Sequence, residues 1–366
     1  MRRNSFNMKI RGIHLSYIVG FIVCFSLSSC GSREYFAFEN VRKVEKFPVS
    51  IDLQNPEEVD IDELGIQGIE VCDDYILVAS HDSAGCLSVF LKDGTRVGNP
   101  FLNVGRGPGE TLYRPFMSWF DFTEDSDGVK AGLFDYKGNY IKYDITRTIA
   151  TGRLTWECMM DSLSIASGAR YFEIDDGRLV CRRKNSSNTG YERFIINDKG
   201  EKFTNRAMEY LNSFSSSESN LLATLFLVSP YRRTVAELGS RLNVIQLYSV
   251  ANDFSCTIAV GDRLQNLKSL EAISPEDMPK TYYDAKSYKD FFAALNLNTT
   301  IKDLDLGHPV SSELQIFSWA GDPVASIPLP VSALYFDIDV DENQLYVVDA
   351  ATEKILRYDI DGIREW

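Results

Sequence analysis

YILVASHDSAGCLSVFLKDGTRVGNPFLNVGRGPGE, residues 75–110, is the first complete sheet unit of the 366-residue sequence. Two strand-like runs, Tyr75–Ala79 and Leu87–Leu91, flank a polar turn, and Asp93-Gly94 after the second run indicates a hairpin. Val97–Val104 is predicted to return as a third strand. Gly105–Glu110 then ends the unit, because a strand interior does not tolerate this many glycines together with a proline.

Versions of this unit recur to the C-terminus. In each unit one predicted strand carries an aromatic residue just before a polar turn, and these residues follow one another at intervals of 53, 51, 54, 69 and 41 positions. They are Phe90, Tyr143, Phe194, Tyr248, Phe317 and Tyr358. Six near-regular units of short strands predict an all-β fold, a six-bladed β-propeller with four-stranded blades.

The last unit lacks an outer strand, and an N-terminal strand is predicted to supply it. Phe47–Leu53 alternates like a strand, and pairing in the blade of Leu345–Ile360 would close the ring and remove an exposed edge. The long fourth interval, Arg263–Lys302, predicts a decorated loop or an insertion in blade five, with a short helical turn starting at Ser274-Pro275. A single propeller domain would then span residues 41–366.

Residues 1–29 have the features of an export signal. Four basic residues precede an apolar run of thirteen, Leu15–Leu27, which is short for a membrane span. Leu27-Ser28-Ser29-Cys30 resembles the lipobox of bacterial lipoproteins, and this resemblance implies that Cys30 becomes the lipidated first residue of the mature protein. An ordinary secretory signal is the alternative. Residues 30–40 would be the lipidated tether.

The charge balance of the mature chain bears on its partners. The leader holds four basic residues and no acid, which leaves 34 basic against 52 acidic residues and a net charge of −18. Such a surface repels nucleic acid, so no nucleic-acid partner is expected. Five cysteines remain after Cys24 and Cys30 are set aside, with wide spacing and no CxxC, which speaks against a metal cluster or a redox motif.

Three stretches are candidate ligand sites. The loop Gly105–Glu110 lacks the following helix and the lysine of a phosphate-binding loop, so it is interpreted as an inter-blade connection on which Arg106 and Glu110 could pair or face a ligand. Tyr231 and Arg232 belong to the most basic local cluster. Tyr282 and Tyr283 in the fifth blade would form a stacking platform if exposed, or pack between blades if buried.

Two acidic stretches are candidate metal sites. The weaker is a predicted loop with Asp121, Glu124, Asp125 and Asp127, and the better is a predicted strand near the C-terminus. The alternation of Phe336, Ile338 and Val340 places Asp337, Asp339 and Asp341 on one face, which is predicted to line the central channel. Calcium prefers such clusters of oxygen ligands, so calcium is the one cofactor that the pattern admits. Solvated aspartates that bind nothing are the alternative.

The chain resembles a known family at several places. These are GRGPGE (105–110), SPYRRTVAELGSRLNVIQLY (229–248), QIFSWAGDPVASIPLP (315–330) and FDIDVDENQLYVVDAATEKILRYDI (336–360), together with the lipobox. They are similar to the TolB-like six-bladed propeller lipoproteins of Bacteroides-type bacteria. The resemblance implies the propeller fold and an outer-membrane lipoprotein, on the periplasmic face or the cell surface. It supplies no catalytic residue.

Two functions follow as hypotheses. The first is a monomeric, non-enzymatic binding or scaffold module for a peptide, glycan or protein partner, since a ring presents many loops at one end and no GxSxG nucleophile motif is present. The second is a metal-dependent, lactonase-like propeller hydrolase with carboxylates on the axis. Carbohydrate binding through the aromatic residues of the fifth blade is a third reading.

Overall fold

The computed structural model describes residues 34–81, 84–135, 137–161, 169–175, 177–229, 233–360 and 362. From Tyr35 onwards the chain forms one compact unit. Within it, six sheets are arranged in a ring as a six-bladed β-propeller, which confirms the predicted fold class. Cys30, Tyr231 and Arg232 lie outside the described residues.

The N-terminal segment contributes three short strands to three different blades. These are β1 (Val41–Val44), β2 (Val49–Ser50) and β3 (Glu57–Val59). β1 adds a parallel strand to the edge of blade 4, and β2 does the same for blade 5. β3 pairs antiparallel with the last strand of blade 6 and thereby closes the ring.

The remaining strands follow blade by blade, and each blade is an antiparallel meander. Blade 1 contains β4 (Ile66–Cys72), β5 (Tyr75–Ser80) and β6 (Leu87–Leu91). Blade 2 contains β7 (Asp121–Asp125), β8 (Gly128–Phe134), β9 (Tyr140–Asp144) and β10 (Trp156–Met160). Blade 3 contains β11 (Arg170–Asp175), β12 (Arg178–Lys184), β13 (Tyr191–Asn197) and β14 (Lys202–Phe203).

The second half of the ring has the same order. Blade 4 contains β15 (Thr224–Ser229), β16 (Thr234–Gly239), β17 (Val244–Ser249) and β18 (Ser255–Val260). Blade 5 contains β19 (Pro279–Ser287), β20 (Phe291–Thr300), β21 (Ser312–Ser318) and β22 (Pro323–Leu329). Blade 6 contains β23 (Ala333–Asp339), β24 (Gln344–Asp349) and β25 (Ile355–Asp359), completed by β3.

The recurring aromatic residues lie on strands, as the sequence predicts, and in each blade this is the third strand. All six are at most 1% exposed. They are Phe90, Tyr143, Phe194, Tyr248, Phe317 and Tyr358. Each buried ring supplies a large apolar surface to the packing of its blade, which explains why the sequence shows one per repeat.

The strand that closes the ring differs from the prediction. Phe47–Leu53 does not pair in blade 6: its strand β2 lies beside β22 of blade 5, and Phe47 packs against Phe317 with ring centroids 5.4 Å apart. The closing strand is β3, opposite β25. The reason is the fit of the side chains, because Val59 is buried beside Ile355 whereas Val49 is 45% exposed.

Blade 1 also differs from the expected unit. It begins one strand earlier than predicted, at β4. Val97–Val104 contacts β6 through an isolated bridge of Leu87 with Phe101 and a hydrogen bond from the Val97 N–H to the Val89 carbonyl oxygen at 2.8 Å, without forming a regular ladder. Gly98 has a φ of +68°, and Pro100 has no N–H to donate, so a regular strand is interrupted there.

Helical structure in the described residues is limited to short connections. These are α1 (Ile145–Thr151), α2 (Arg206–Asn212), α3 (Leu267–Glu271), α4 (Ile301–Asp305) and two 3-10 turns, Met117–Trp119 and Ser219–Leu222. Where the sequence predicts a helical turn at Ser274-Pro275, residues 275–277 form a non-helical turn. The nearby helix α3 begins earlier, where the Asn266 side chain caps it by accepting from the Ser269 N–H. None of the described helices has the length and apolarity needed to cross a membrane.

Candidate functional site

The first strands of the blades enclose a cavity. It has a volume of about 440 Å³ and is lined by residues of β7, β11, β15 and β19, with Glu70 from β4. A second cavity of about 400 Å³ lies against β4, β7 and β23. Both cavities are lined by Glu70, Glu124, Lys286 and Tyr288, so they are neighbouring parts of one central channel.

Lys286 joins blades 5, 1 and 6 at the wall of this channel. Its Nζ forms a short ion pair with Glu70 and donates to the carbonyl oxygen of Ile69 at 2.5 Å. The same Nζ lies 3.8 Å from Oδ2 of Asp337. The lysine side chain is 11% exposed and that of Asp337 is 3% exposed, so one buried cation balances several carboxylates.

The ionisation of this group reflects burial. Burial raises the pKa of Glu70 to about 7, against the lowering effect of Lys286, and it raises the pKa of Asp284 to about 6. Burial alone would lower the pKa of Lys286, but the carboxylates of Glu70, Asp337 and Asp284 raise it above its ordinary value. Perturbed carboxyl groups of this kind occur at binding sites and also in structural ion-pair networks.

Aspartates on the first strands also connect neighbouring blades. Asp284 Oδ2 accepts from the Phe336 N–H at 3.3 Å, and Asp337 Oδ2 accepts from the Val71 N–H at 2.7 Å. Asp121 Oδ2 accepts from the Glu173 N–H at 2.7 Å. In each case the carboxylate lies on the first strand of one blade and the N–H on the first strand of the next. These aspartates therefore stabilise the ring from the inside.

The three aspartates of the predicted metal site, Asp337, Asp339 and Asp341, have different surroundings. Asp337 also accepts from the Tyr288 hydroxyl at 2.6 Å, and Asp339 forms an ion pair with Lys92 at 2.5 Å. Asp341 is exposed. Within the described parts of the chain, no group of three or more His, Cys, Asp or Glu side chains is placed to hold a metal ion. The calcium site and the hydrolase that depends on it stay predictions from the sequence.

Of the other predicted ligand-binding residues, the four that the structure describes do not line the channel cavities. Arg106 is exposed on the connection between blades 1 and 2, where Glu110 Oε2 accepts from the Gly107 N–H at 2.6 Å. Tyr282 is fully buried, with its hydroxyl donating to Gln315 Oε1 at 3.1 Å, and Tyr283 packs edge-on against Tyr335 with ring centroids 5.8 Å apart. The buried alternative thus describes Tyr282.

Sequence reasoning missed three charged residues that line the cavity of about 440 Å³, Glu70, Arg170 and Lys286, which lie in strand-like runs with no motif around them. Asp121 stands out from the sequence only as part of the weaker acidic stretch, with Glu124, Asp125 and Asp127. The signal that marks them is position, because each lies on the first strand of its blade. Reading the repeat from that strand, instead of from the aromatic third strand, would have selected them.

Comparison with known proteins bears on the fold. No family model matches the chain, and no curated protein matches it. A solved structure of a member of the DUF4221 family from Bacteroides vulgatus has a TM-score of 0.51 at 8% identity, over 84% of this chain and 96% of that one. At such identity the likeness concerns the fold alone.

Two further solved structures are similar. One is described as a "Putative exported protein" from Bacteroides fragilis, with 12% identity and a TM-score of 0.45 over 87% of this chain and 98% of that one. The other is the Cps50 (Swd1) β-propeller domain from Myceliophteria thermophila, with 7% identity and a TM-score of 0.44 over 84% of this chain and all of that one.

Proposed function

We propose that this protein is a lipid-anchored, extracytoplasmic propeller of the TolB-like kind, which binds part of a peptide, glycan or other partner in its central channel. The observation that carries the proposal is the channel cavity of about 440 Å³, within the size range of ligand pockets. Its wall combines half-buried apolar side chains such as Phe122, Phe172 and Leu225 with eight charged residues. Apolar surface combined with polar groups in fixed positions is a feature of small-molecule and cofactor sites.

The proposed lipid anchor and extracytoplasmic location are supported by the sequence. The basic leader, the short apolar run and Leu27–Cys30 support export and lipidation at Cys30. A lipid-anchored ring would present its loops and its channel to molecules outside the cytoplasm.

A channel-filling variant tests the binding site. Leu225→Trp places an indole in the cavity, and Leu306→Trp makes the same change at a leucine that directly follows α4 and is 61% exposed. We expect ligand-observed NMR with a library of uncharged aromatic and sugar fragments to reveal binders of the wild type. Leu225→Trp should remove their saturation transfer and Leu306→Trp should leave it unchanged. Equal binding by both variants, or no binder of the wild type, would refute the channel as the site.

A further inference from the structure

Three arginines lie side by side across blade 3. Arg170 on β11 is directly opposite Arg182 on β12, and Arg182 is directly opposite Arg193 on β13. Directly opposite residues of an antiparallel pair have Cβ atoms about 5 Å apart, and like charges at this separation are destabilising. The row runs from Arg193 on the third strand to Arg170 on the first strand, so Arg170 is the member that reaches the channel.

One carboxylate balances the charge of Arg193, at the end of the row that lies away from the channel. Glu237 binds Arg193 in bidentate fashion, with Oε1 2.6 Å from Nε and Oε2 2.8 Å from Nη2, and both side chains are at most 1% exposed. Arg182 donates to the carbonyl oxygen of Thr224 at 2.6 Å and to the Thr224 hydroxyl. The buried Nε of Arg182 has no hydrogen-bond partner among the described residues. One negative charge thus faces two buried cations.

At the channel end of the row, the positive charge of Arg170 is not balanced by a carboxylate of the described residues. Arg170 lines the channel cavity, and its guanidinium carbon lies 4.7 Å from the ring centroid of Trp119. No carboxylate of the described residues pairs with it. The carboxylate of Glu173 lines the same cavity but is held by Lys142. Burial, together with the neighbouring charge of Arg182, lowers the pKa of Arg170 to about 9.

We propose that Arg170 binds the carboxylate of an organic ligand in the channel cavity. A carboxylate matches the planar fork of a guanidinium and would supply the negative charge that the row lacks. The half-buried side chains of Phe122, Phe172 and Leu225, which line the same cavity, would contact the apolar part of the ligand. This inference rests on the proposed function, because it names the ligand class of the same cavity.

Matched pairs of probes test the inference on the purified full-length protein. The probes are 3-phenylpropionate, hexanoate and glucuronate, each compared with its uncharged amide by ligand-observed NMR titration. We expect wild type to bind at least one carboxylate on the order of tenfold more tightly than its amide, as for a charge-assisted hydrogen bond. Arg170→Gln should abolish this preference, and Arg170→Lys should keep part of it. Arg147→Gln, at an exposed arginine on α1, should keep all of it.

Three results would overturn the inference: equal binding of carboxylates and amides by the wild type, no carboxylate binding, or an unchanged preference in Arg170→Gln. If one of them occurs while Leu225→Trp still removes the uncharged fragments, the channel remains the binding site and only the ligand class is wrong. Arg170→Gln should melt no lower than the wild type, because it removes the repulsion with Arg182. Should it fail to fold, the comparison of carboxylate with amide in the wild type and Arg170→Lys decides.

Discussion

Asp121, Asp284 and Asp337 occupy the first strands of three blades, and each accepts a hydrogen bond from the backbone of the next first strand. A buried carboxylate is costly unless its oxygens have partners, and these backbone donors supply them. The residues that the sequence presents as metal ligands thus include one, Asp337, whose contacts connect blade 6 with blades 5 and 1.

Asp121 gives a pH dependence that can be measured. Burial raises its pKa to about 7 from an ordinary value of 3.8. Between these values the folded protein keeps a proton that the unfolded chain has released, so a rise in pH lowers the free energy of unfolding. We expect the free energy of unfolding of wild type relative to Asp121→Asn to decrease by about 4 kcal/mol between about pH 4 and pH 8. Urea denaturation at a series of pH values measures this difference.

Asp125→Asn is the matched control on the same strand. Asp125 is exposed, and its hydrogen bond with Lys130 holds its pKa below the ordinary value, so it is ionised in both states above about pH 5. The difference in free energy of unfolding between Asp125→Asn and wild type should stay constant from about pH 5 to pH 8. Parallel curves for wild type and Asp121→Asn would mean that the Asp121 carboxyl is already ionised in the folded protein.

At the scale of elements, the N-terminal segment protects the rim of the ring. β1, β2 and β3 cover the outer edges of blades 4, 5 and 6 in turn. An uncovered edge strand offers unpaired N–H and C=O groups to other chains. The segment therefore closes the ring at β3 and blunts two further edges on the way.

Val59→Asp tests closure by β3. Val59 is 4% exposed and packs in one apolar cluster with Ile355 of blade 6 and Ile69 of blade 1, so a carboxylate there would be buried without a partner. We expect a loss of about 3 kcal/mol in the free energy of unfolding, together with aggregation through the opened edge. Thermal melting combined with light scattering measures both.

Val49→Asp makes the same change on β2, where the side chain is 45% exposed. It should alter stability by less than about 0.5 kcal/mol. A larger loss for Val49→Asp than for Val59→Asp would assign the closing role to the strand that the sequence predicts.

At the scale of the whole molecule, the proposed lipid anchor at Cys30 would fix where the ring works. Cys30→Ser removes the proposed acylation site, and two or more acyl chains are needed for firm attachment to a membrane. We expect the variant to move from the membrane fraction to the soluble fraction. Fractionation followed by a carbonate wash measures this. Cys158→Ser, at an exposed free cysteine, should remain with the membranes. Retention of Cys30→Ser after the wash would disprove lipidation at this residue.

The sequence by itself determined the repeat. The six third-strand aromatic residues predicted the number of blades, because every blade buries one large ring in the same place. A local pattern of this kind is visible in a single sequence. It also gives the net negative charge of the chain, and it predicts an export signal in residues 1–29.

Only the tertiary structure decided which residues meet in the channel and which strand closes the ring. Lys286 pairs with Glu70 across 216 positions, and β3 pairs with a strand almost 300 positions away, as the Arg357–Glu57 contact shows. The arginine row across blade 3 depends on the register of two hairpins, which a one-residue shift in either turn would destroy. Such contacts follow from the closing of the ring, which brings the first strands of all blades together at one axis, whereas the local sequence around each charge looks like that of any other strand.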